Sequence, residues 1–151
     1  MAFPAPDHPM LSFQPLSHRV VGHQRKNPLF QWVDEVCRPL YRDDCRVRAL
    51  NPWSPQDSAL LQAINRGEFK INGFRNRDLR ALLFKTTANP EEQKRRSAAV
   101  TRRLALLRAH GLIKKLPRTH RYVLTNKGSI TITALLTARQ ANINQLTQIA
   151  A

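Results

Sequence analysis

The sequence predicts a mainly α-helical fold carrying a small β-wing, and three observations lead there. Apolar residues recur at three- and four-residue spacing through most of the chain after Leu29, the signature of amphipathic helices. Two of these stretches open on a capping residue followed by proline, Ser54-Pro55 and Asn89-Pro90. Two short stretches, Leu112 to Leu116 and Arg121 to Leu124, read as strands flanking the loop Pro117 to His120, as in a hairpin.

The elements follow in order. Residues 1–28 hold Pro4, Pro6, Pro9, Pro15 and Pro28 without an apolar period, and read as an extended, weakly ordered arm. Residues 29–53 read as an amphipathic helix and a connector. Leu29, Phe30, Val33, Val36, Cys37, Leu40 and Tyr41 form the apolar face, Asp43 and Asp44 break the pattern, and a brief strand is expected at Val47 to Leu50. Residues 54–128 form the main domain. Its first helix starts at Ser54, with Asp57 three residues after the cap, and buries Leu60, Leu61 and Ile64. Phe69 to Gly73 is expected to be extended. A second helix follows Phe74, with Asp78 in its first turn and Leu79, Leu82 and Leu83 inward. The third runs from Pro90 to Gly111, with a restart at Ser97 as the alternative. After the two strands, Thr125 to Gly128 reads as a turn. Residues 129–151 form a last helix, whose long apolar stripe (Ile132, Leu135, Leu136, Ile143, Leu146, Ile149) suits pairing with a second copy of the chain.

Charge points to the partner. The chain has 151 residues, with 25 Lys and Arg against 10 Asp and Glu, a formal net charge of +15. Such an excess marks a polyanion as partner, nucleic acid first and an anionic membrane surface second. Glu92 is the last acidic residue, and every charged side chain after it is Lys or Arg. Cations on a merely solvated face usually have acidic neighbours; here the field is left free for an external anion.

On a helical wheel of the third helix, Val100, Leu104 and Leu107 cluster as a core stripe. Lys94, Arg95, Ala98, Thr101, Arg102 and Ala105 fall on the far side. Small residues allow a helix to approach a groove closely, and Arg and Thr then reach base edges and phosphates. Arg96, Arg103 and Arg108 lie nearer the core. Arg75, Asn76 and Arg77 open the second helix, and Lys114, Lys115, Arg118, His120 and Arg121 line the basic loop. The succession of helix, short strand, helix, turn, helix, strand, basic loop and strand is the order of a winged helix-turn-helix. In that arrangement the third helix enters the major groove of double-stranded DNA and the wing grips phosphates.

Arg108-Ala109-His110-Gly111-Leu112-Ile113, then Lys114-Lys115, then Arg118-Thr119-His120-Arg121-Tyr122-Val123-Leu124-Thr125 and Lys127-Gly128 resemble the second half of MarR-type winged helices. Asn72 to Arg80 together with His110 to Ile113 is also similar to the C-terminal part of a group of longer bacterial proteins, some labelled transcriptional regulators and some associated with mobile elements. The resemblance implies DNA binding; with the element order and the acid-free basic half, the expected function is sequence-specific duplex binding by a bacterial transcriptional regulator, a step beyond what the resemblance itself implies. A truncated or accessory DNA-binding part of a mobile-element protein, and a winged-helix protein-interaction module, are the alternatives.

Other classes are disfavoured. Asp34, Glu35, Asp43 and Asp44 flank one short helix instead of converging from separate elements, so no catalytic centre is expected. Cys37 and Cys45 lack zinc-site spacing, and no glycine-rich phosphate loop occurs, so neither metal nor cofactor is expected. The start of the chain has no signal-peptide core, and no apolar run approaches the about 18 residues of a membrane span. With only two cysteines, a cytoplasmic location is the expectation.

Overall fold

The computed structural model describes residues 27–150. The described chain is mainly helical with two small antiparallel hairpins. In order it forms α1 (Pro28–Val36), β1 (Leu40–Arg42), β2 (Cys45–Val47), α2 (Pro55–Ile64), α3 (Gly67–Asn72), α4 (Asn76–Leu83), α5 (Pro90–Ala109), β3 (Ile113–Lys115), β4 (Tyr122–Leu124) and α6 (Asn126–Ala150). The arm expected over residues 1–28 lies, up to residue 26, outside the described residues.

The Asn27 side chain accepts from the Leu29 N–H at 3.0 Å, and Pro28 takes the first position of α1. The helix stops at Val36, well short of the expected Tyr41. Pro39 disfavours helical backbone at the residue before it. Asp43 and Asp44 both take left-handed φ, 49° and 61°, which folds Leu40–Arg42 back onto Cys45–Val47. The connector expected here is thus a hairpin. The strand expected at Val47 to Leu50 lies earlier, and Leu50 is instead a core residue whose N–H donates to the Val36 carbonyl at 3.0 Å.

In α2, Leu60, Leu61 and Ile64 are fully buried as the pattern requires. Its capping differs from expectation. Ser54 makes no side-chain cap bond, and Asp57 turns away from the helix start. Buried, Asp57 accepts two bonds from the Arg48 guanidinium, at 2.7 and 2.8 Å, and one from the Asn51 N–H at 3.0 Å. The segment after α2, expected to be extended, is the short helix α3, which buries Phe69. Strand character shrinks to one antiparallel bridge between Phe74 and Tyr122, whose backbones exchange bonds of 2.8 and 2.9 Å. The two rings stack at 6.1 Å. In α4 the Arg75 N–H donates to Asp78 at 2.8 Å. Leu79 is buried and Leu83 packs on the core, but Leu82, expected inward, is exposed.

The helix α5 is continuous, without a restart at Ser97. Asn89 caps it by accepting from the Glu91 N–H. It ends in a Schellman turn: Leu112 N–H donates to the Leu107 carbonyl and Gly111 N–H to that of Arg108, with Gly111 at φ 71°. Leu107 and Leu112 are both fully buried beside this turn. The Leu112 carbonyl then accepts from the Thr125 N–H and hydroxyl, at 3.0 and 3.1 Å, and the Thr125 hydroxyl oxygen accepts from the Gly128 N–H. Thr125 therefore starts α6 at Asn126, where a turn was expected. A Cβ at position 128 would collide with the Leu112 carbonyl, so no side chain fits there.

The core joins α2, α4, α5 and the first half of α6, closed by Val36, Leu50, Phe74 and Ile113. Full burial of one such leucine contributes about 1.5–3 kcal/mol, whereas an exposed pair such as Arg38–Asp34 contributes at most about 1 kcal/mol. The core therefore sets the fold. Among polar contacts, the Asp57 node is the costly one to disturb. Burial opposes ionisation of Asp57, but the hydrogen bonds from Arg48 and the Asn51 N–H outweigh it and hold the carboxyl below its ordinary 3.8. Its stabilisation is complete above that value and is lost as pH falls through the lower folded one. Thermal midpoints between about pH 7 and 2 should show the acid limb becoming shallower in Asp57→Asn, with the variant less stable at neutral pH by about 1–3 kcal/mol. Equal acid sensitivity in both chains would contradict this role.

Candidate nucleic-acid interface

The helices α4 and α5 are fixed to each other by a polar clasp. The Asn76 amide donates to the Ser97 carbonyl at 3.1 Å and to the Thr101 hydroxyl at 3.0 Å, while that hydroxyl donates to the Ser97 carbonyl at 3.0 Å. The clasp bridges the two helices through the half-buried Asn76 and Ser97, at the edge of the core stripe of Val100 and Leu104. It orients the outer face of α5 and also occupies two of the residues that the sequence offered as contacts. The hydroxyl of Thr101 and the amide of Asn76 are already bonded, so both act first as positioning groups.

Lys94, Arg95, Ala98, Thr101, Arg102 and Ala105 are all exposed, as the wheel requires. An open groove of about 720 Å³ runs along α5 and brings Lys94, Ala98, Thr101 and Arg102 together with Arg80 of α4. Arg95 reaches Glu92 only loosely, at 3.8 Å, and its side chain is 83% exposed. Two further cations of this helix are engaged: Arg96 and Arg103 lie over the Phe84 ring at 5.6 and 5.5 Å, and Arg96 also bonds Glu92 and the Lys85 carbonyl. Their place near the core stripe thus reflects a structural clamp on the turn between α4 and α5.

The second hairpin follows α5 directly. Its loop is closed by the Leu116 N–H donating to the Arg121 carbonyl at 2.9 Å and by the Thr119 hydroxyl donating to the Leu116 carbonyl at 3.0 Å. Arg118 takes a left-handed φ of 60° at its tip. Lys114, Lys115, Arg118 and His120 are exposed. Arg121 is exposed too, but its guanidinium donates to the Asn72 carbonyl at 2.9 Å and ties the loop to α3. The Phe74–Tyr122 bridge sets Arg75 across from Arg121, so the start of α4 adjoins this loop. Arg75 is half-buried there, and Arg77 is exposed with a loose 3.7 Å contact to Asp78. The structure thus places the expected residues at the surface. It divides them into cations without a partner among the described residues (Lys94, Arg102, Lys114, Lys115, Arg118) and groups that have one, loosely in Arg77 and Arg95 and firmly in Asn76, Thr101 and Arg121.

Arg80, Arg46 and Arg48 border the grooves along α5 and were missed by sequence reasoning. Arg80 lies one helical turn after Asn76, a spacing that was available. Arg46 and Arg48 flank Val47 in strand alternation, but a connector was expected there. The acidic group that the sequence set aside has no convergent geometry: Asp34 pairs with Arg38, Glu35 accepts from Lys127 at 2.7 Å, and Asp43 and Asp44 make the turn. Among the described residues no group of His, Cys, Asp and Glu is arranged to hold a metal ion, and no helix is long and apolar enough to cross a membrane. Burial and the nearby Asp34 push the Cys37 thiol up, away from the reactive thiolate. Comparison with family models, curated proteins and solved structures finds no match to this chain.

Proposed function

We propose that residues 54–128 are a winged helix-turn-helix that binds double-stranded DNA in a sequence-specific manner and regulates transcription by occupying its site. In this reading α5 enters the major groove and the loop of Lys114 to Arg121 grips the backbone. The observation that carries it is the outer face of α5. Its only carboxylates, Glu91 and Glu92, lie in the first turn, while Lys94, Ala98 and Arg102 beyond them share one exposed groove. A helix of that kind has room at Ala98 to approach base edges and cations to reach them. The resemblance of Arg108 to Gly128 to MarR-type winged helices supports the same docking.

Duplex selection from a random library, followed by affinity measured at several salt concentrations, tests this. Affinity should fall steeply with salt, and Arg102→Ala should weaken binding and relax sequence preference. The double variant Lys114→Ala/Lys115→Ala should weaken all sequences alike. It should reduce the log–log salt slope by up to about 1.8, which is about 0.9 for each phosphate no longer neutralised. Unchanged affinity in both variants would show that the helix and loop are not the docking surface.

We propose also that α6 pairs with a second copy. This helix has 25 residues, a length of about 37 Å. Its first half is buried in the core through Ile132 and Leu135, but the same stripe continues exposed through Leu146 and Ile149. From Gln140 to Ala151 no side chain is charged, so here two copies at +15 meet without direct repulsion between side chains. Sedimentation should give a dimer whose dissociation constant rises at least tenfold in Leu146→Lys. A monomer at all concentrations in the unaltered chain would exclude pairing.

A further inference from the structure

A second groove flanks α5 on the side of the first hairpin, and its chemistry suits a phosphodiester strand. It has a volume of about 500 Å³ and is lined by Arg46 and Arg48 of β2 and the segment after it, Gln56 at the start of α2, and Ala99, Arg102 and Ala105 of α5. The two alanines make a low floor. Arg46 and Arg102 are exposed and have no ion-pair partner among the described residues.

No carboxylate lines this groove among the described residues, and Asp57, bonded to the lining Arg48, is sealed. Its oxygens are buried, and both are held by the Arg48 guanidinium. Asp57 and Arg48 neutralise each other, and Arg103, which also lines the groove, lies over the Phe84 ring, so Arg46 and Arg102 are the exposed cations left without a partner among the described residues. The hairpin that carries Arg46 is anchored rather than loose. Arg42 donates to the Arg108 carbonyl at 3.4 Å, His110 bonds the Arg48 carbonyl at 2.9 Å, and Val47 packs on the core. The acidic turn, Asp43 and Asp44, lies at the tip of the hairpin, does not line the groove and forms no ion pair with Arg46.

Arg102 borders this groove as well as the one that holds Lys94 and Arg80. It stands on the ridge between them. A helix about 10–12 Å across nearly fills a major groove about 12 Å wide, so the sugar–phosphate walls run along both of its flanks. A cationic groove on each side of α5 matches that geometry.

We propose that the groove between β2 and α5 is a second phosphodiester-binding site, with Arg46 and Arg102 as its phosphate ligands, so that the first hairpin grips the strand opposite the one near Arg80. This rests on the duplex-binding reading above and adds to it an element that lies outside residues 54–128.

The test is the salt dependence of binding by the full chain to a fluorescent duplex of mixed sequence, from about 50 to 200 mM salt. Arg46→Ala should lower the log–log slope by about 0.9, the share of one neutralised phosphate. Arg46→Lys should restore most of it. Arg38→Ala serves as the control: it removes the same charge from the C-terminal side of α1, where Arg38 pairs with Asp34, and should leave the slope unchanged. Because Arg46 has no ion-pair partner among the described residues, thermal midpoints of Arg46→Ala and the unaltered chain should agree. A normal slope in Arg46→Ala, or an equal reduction in Arg38→Ala, overturns the second site while leaving duplex binding intact. An unaltered chain without salt-dependent binding overturns both.

Discussion

Everything in this fold turns on the end of α5. A long helix must stop at one residue so that the chain can reverse into the core, and the Schellman turn at Gly111 does this while burying Leu107 and Leu112 together. Three other elements are fastened to the same spot. The Leu112 carbonyl receives Thr125, which caps α6; Gly128 fits against that carbonyl because it has no side chain; and His110 reaches the Arg48 carbonyl of the first hairpin. The buried end of α5 is thus the anchor of both hairpins and of α6. Towards its other end the helix is held by the Asn76 clasp and by Arg96 on the turn before it, so its outer face is exposed on a helix fixed at both ends.

Electrostatics divides the many cations of the chain into two populations. One is consumed by the fold: Arg48 on Asp57, Arg96 and Arg103 on the Phe84 ring, Arg121 on the Asn72 carbonyl, Lys127 on Glu35. The other has no partner among the described residues, and it collects along the outer face of α5, on the second hairpin and at Arg46. Cations held close together repel one another, a cost that the buried core sustains and that an anionic partner removes. Their placement on paired elements favours association, since the side chains but little of the backbone remain to be ordered on binding. Asn76 and Thr101 contribute by holding the helix pair in register.

Much of this was legible in the sequence, for physical reasons. Capping followed by proline marked the starts of α2 and α5, the period of Val100, Leu104 and Leu107 marked the buried side of α5, and Gly111 marked its end. These are local signals, set within one or two turns. The failures were non-local. The helix α3 replaced an expected strand because Phe69 finds its place against Phe74, a contact between rings 5.4 Å apart that propensity does not report. The first hairpin depends on two consecutive aspartates in left-handed conformation, a choice that Asn-Gly or Asp-Gly would have announced more clearly. Asp57 looked like a helix cap and is instead the partner of Arg48, brought to it by the hairpin. At the site, exposure was predictable from the wheel. Occupancy was not, because the bonds of Asn76, Thr101 and Arg121 all cross between elements.

We propose that the outer face of α5 and the second hairpin meet DNA together. Lysine footprinting tests it most directly: the full chain is acetylated with and without saturating duplex, and each lysine is quantified by mass spectrometry. Lys94, Lys114 and Lys115 should lose reactivity in the complex, while Lys70 on α3 and Lys127, paired with Glu35, should not. Protection of Lys70 or Lys127 with Lys94, Lys114 and Lys115 still reactive would place the nucleic acid on another face and contradict the account.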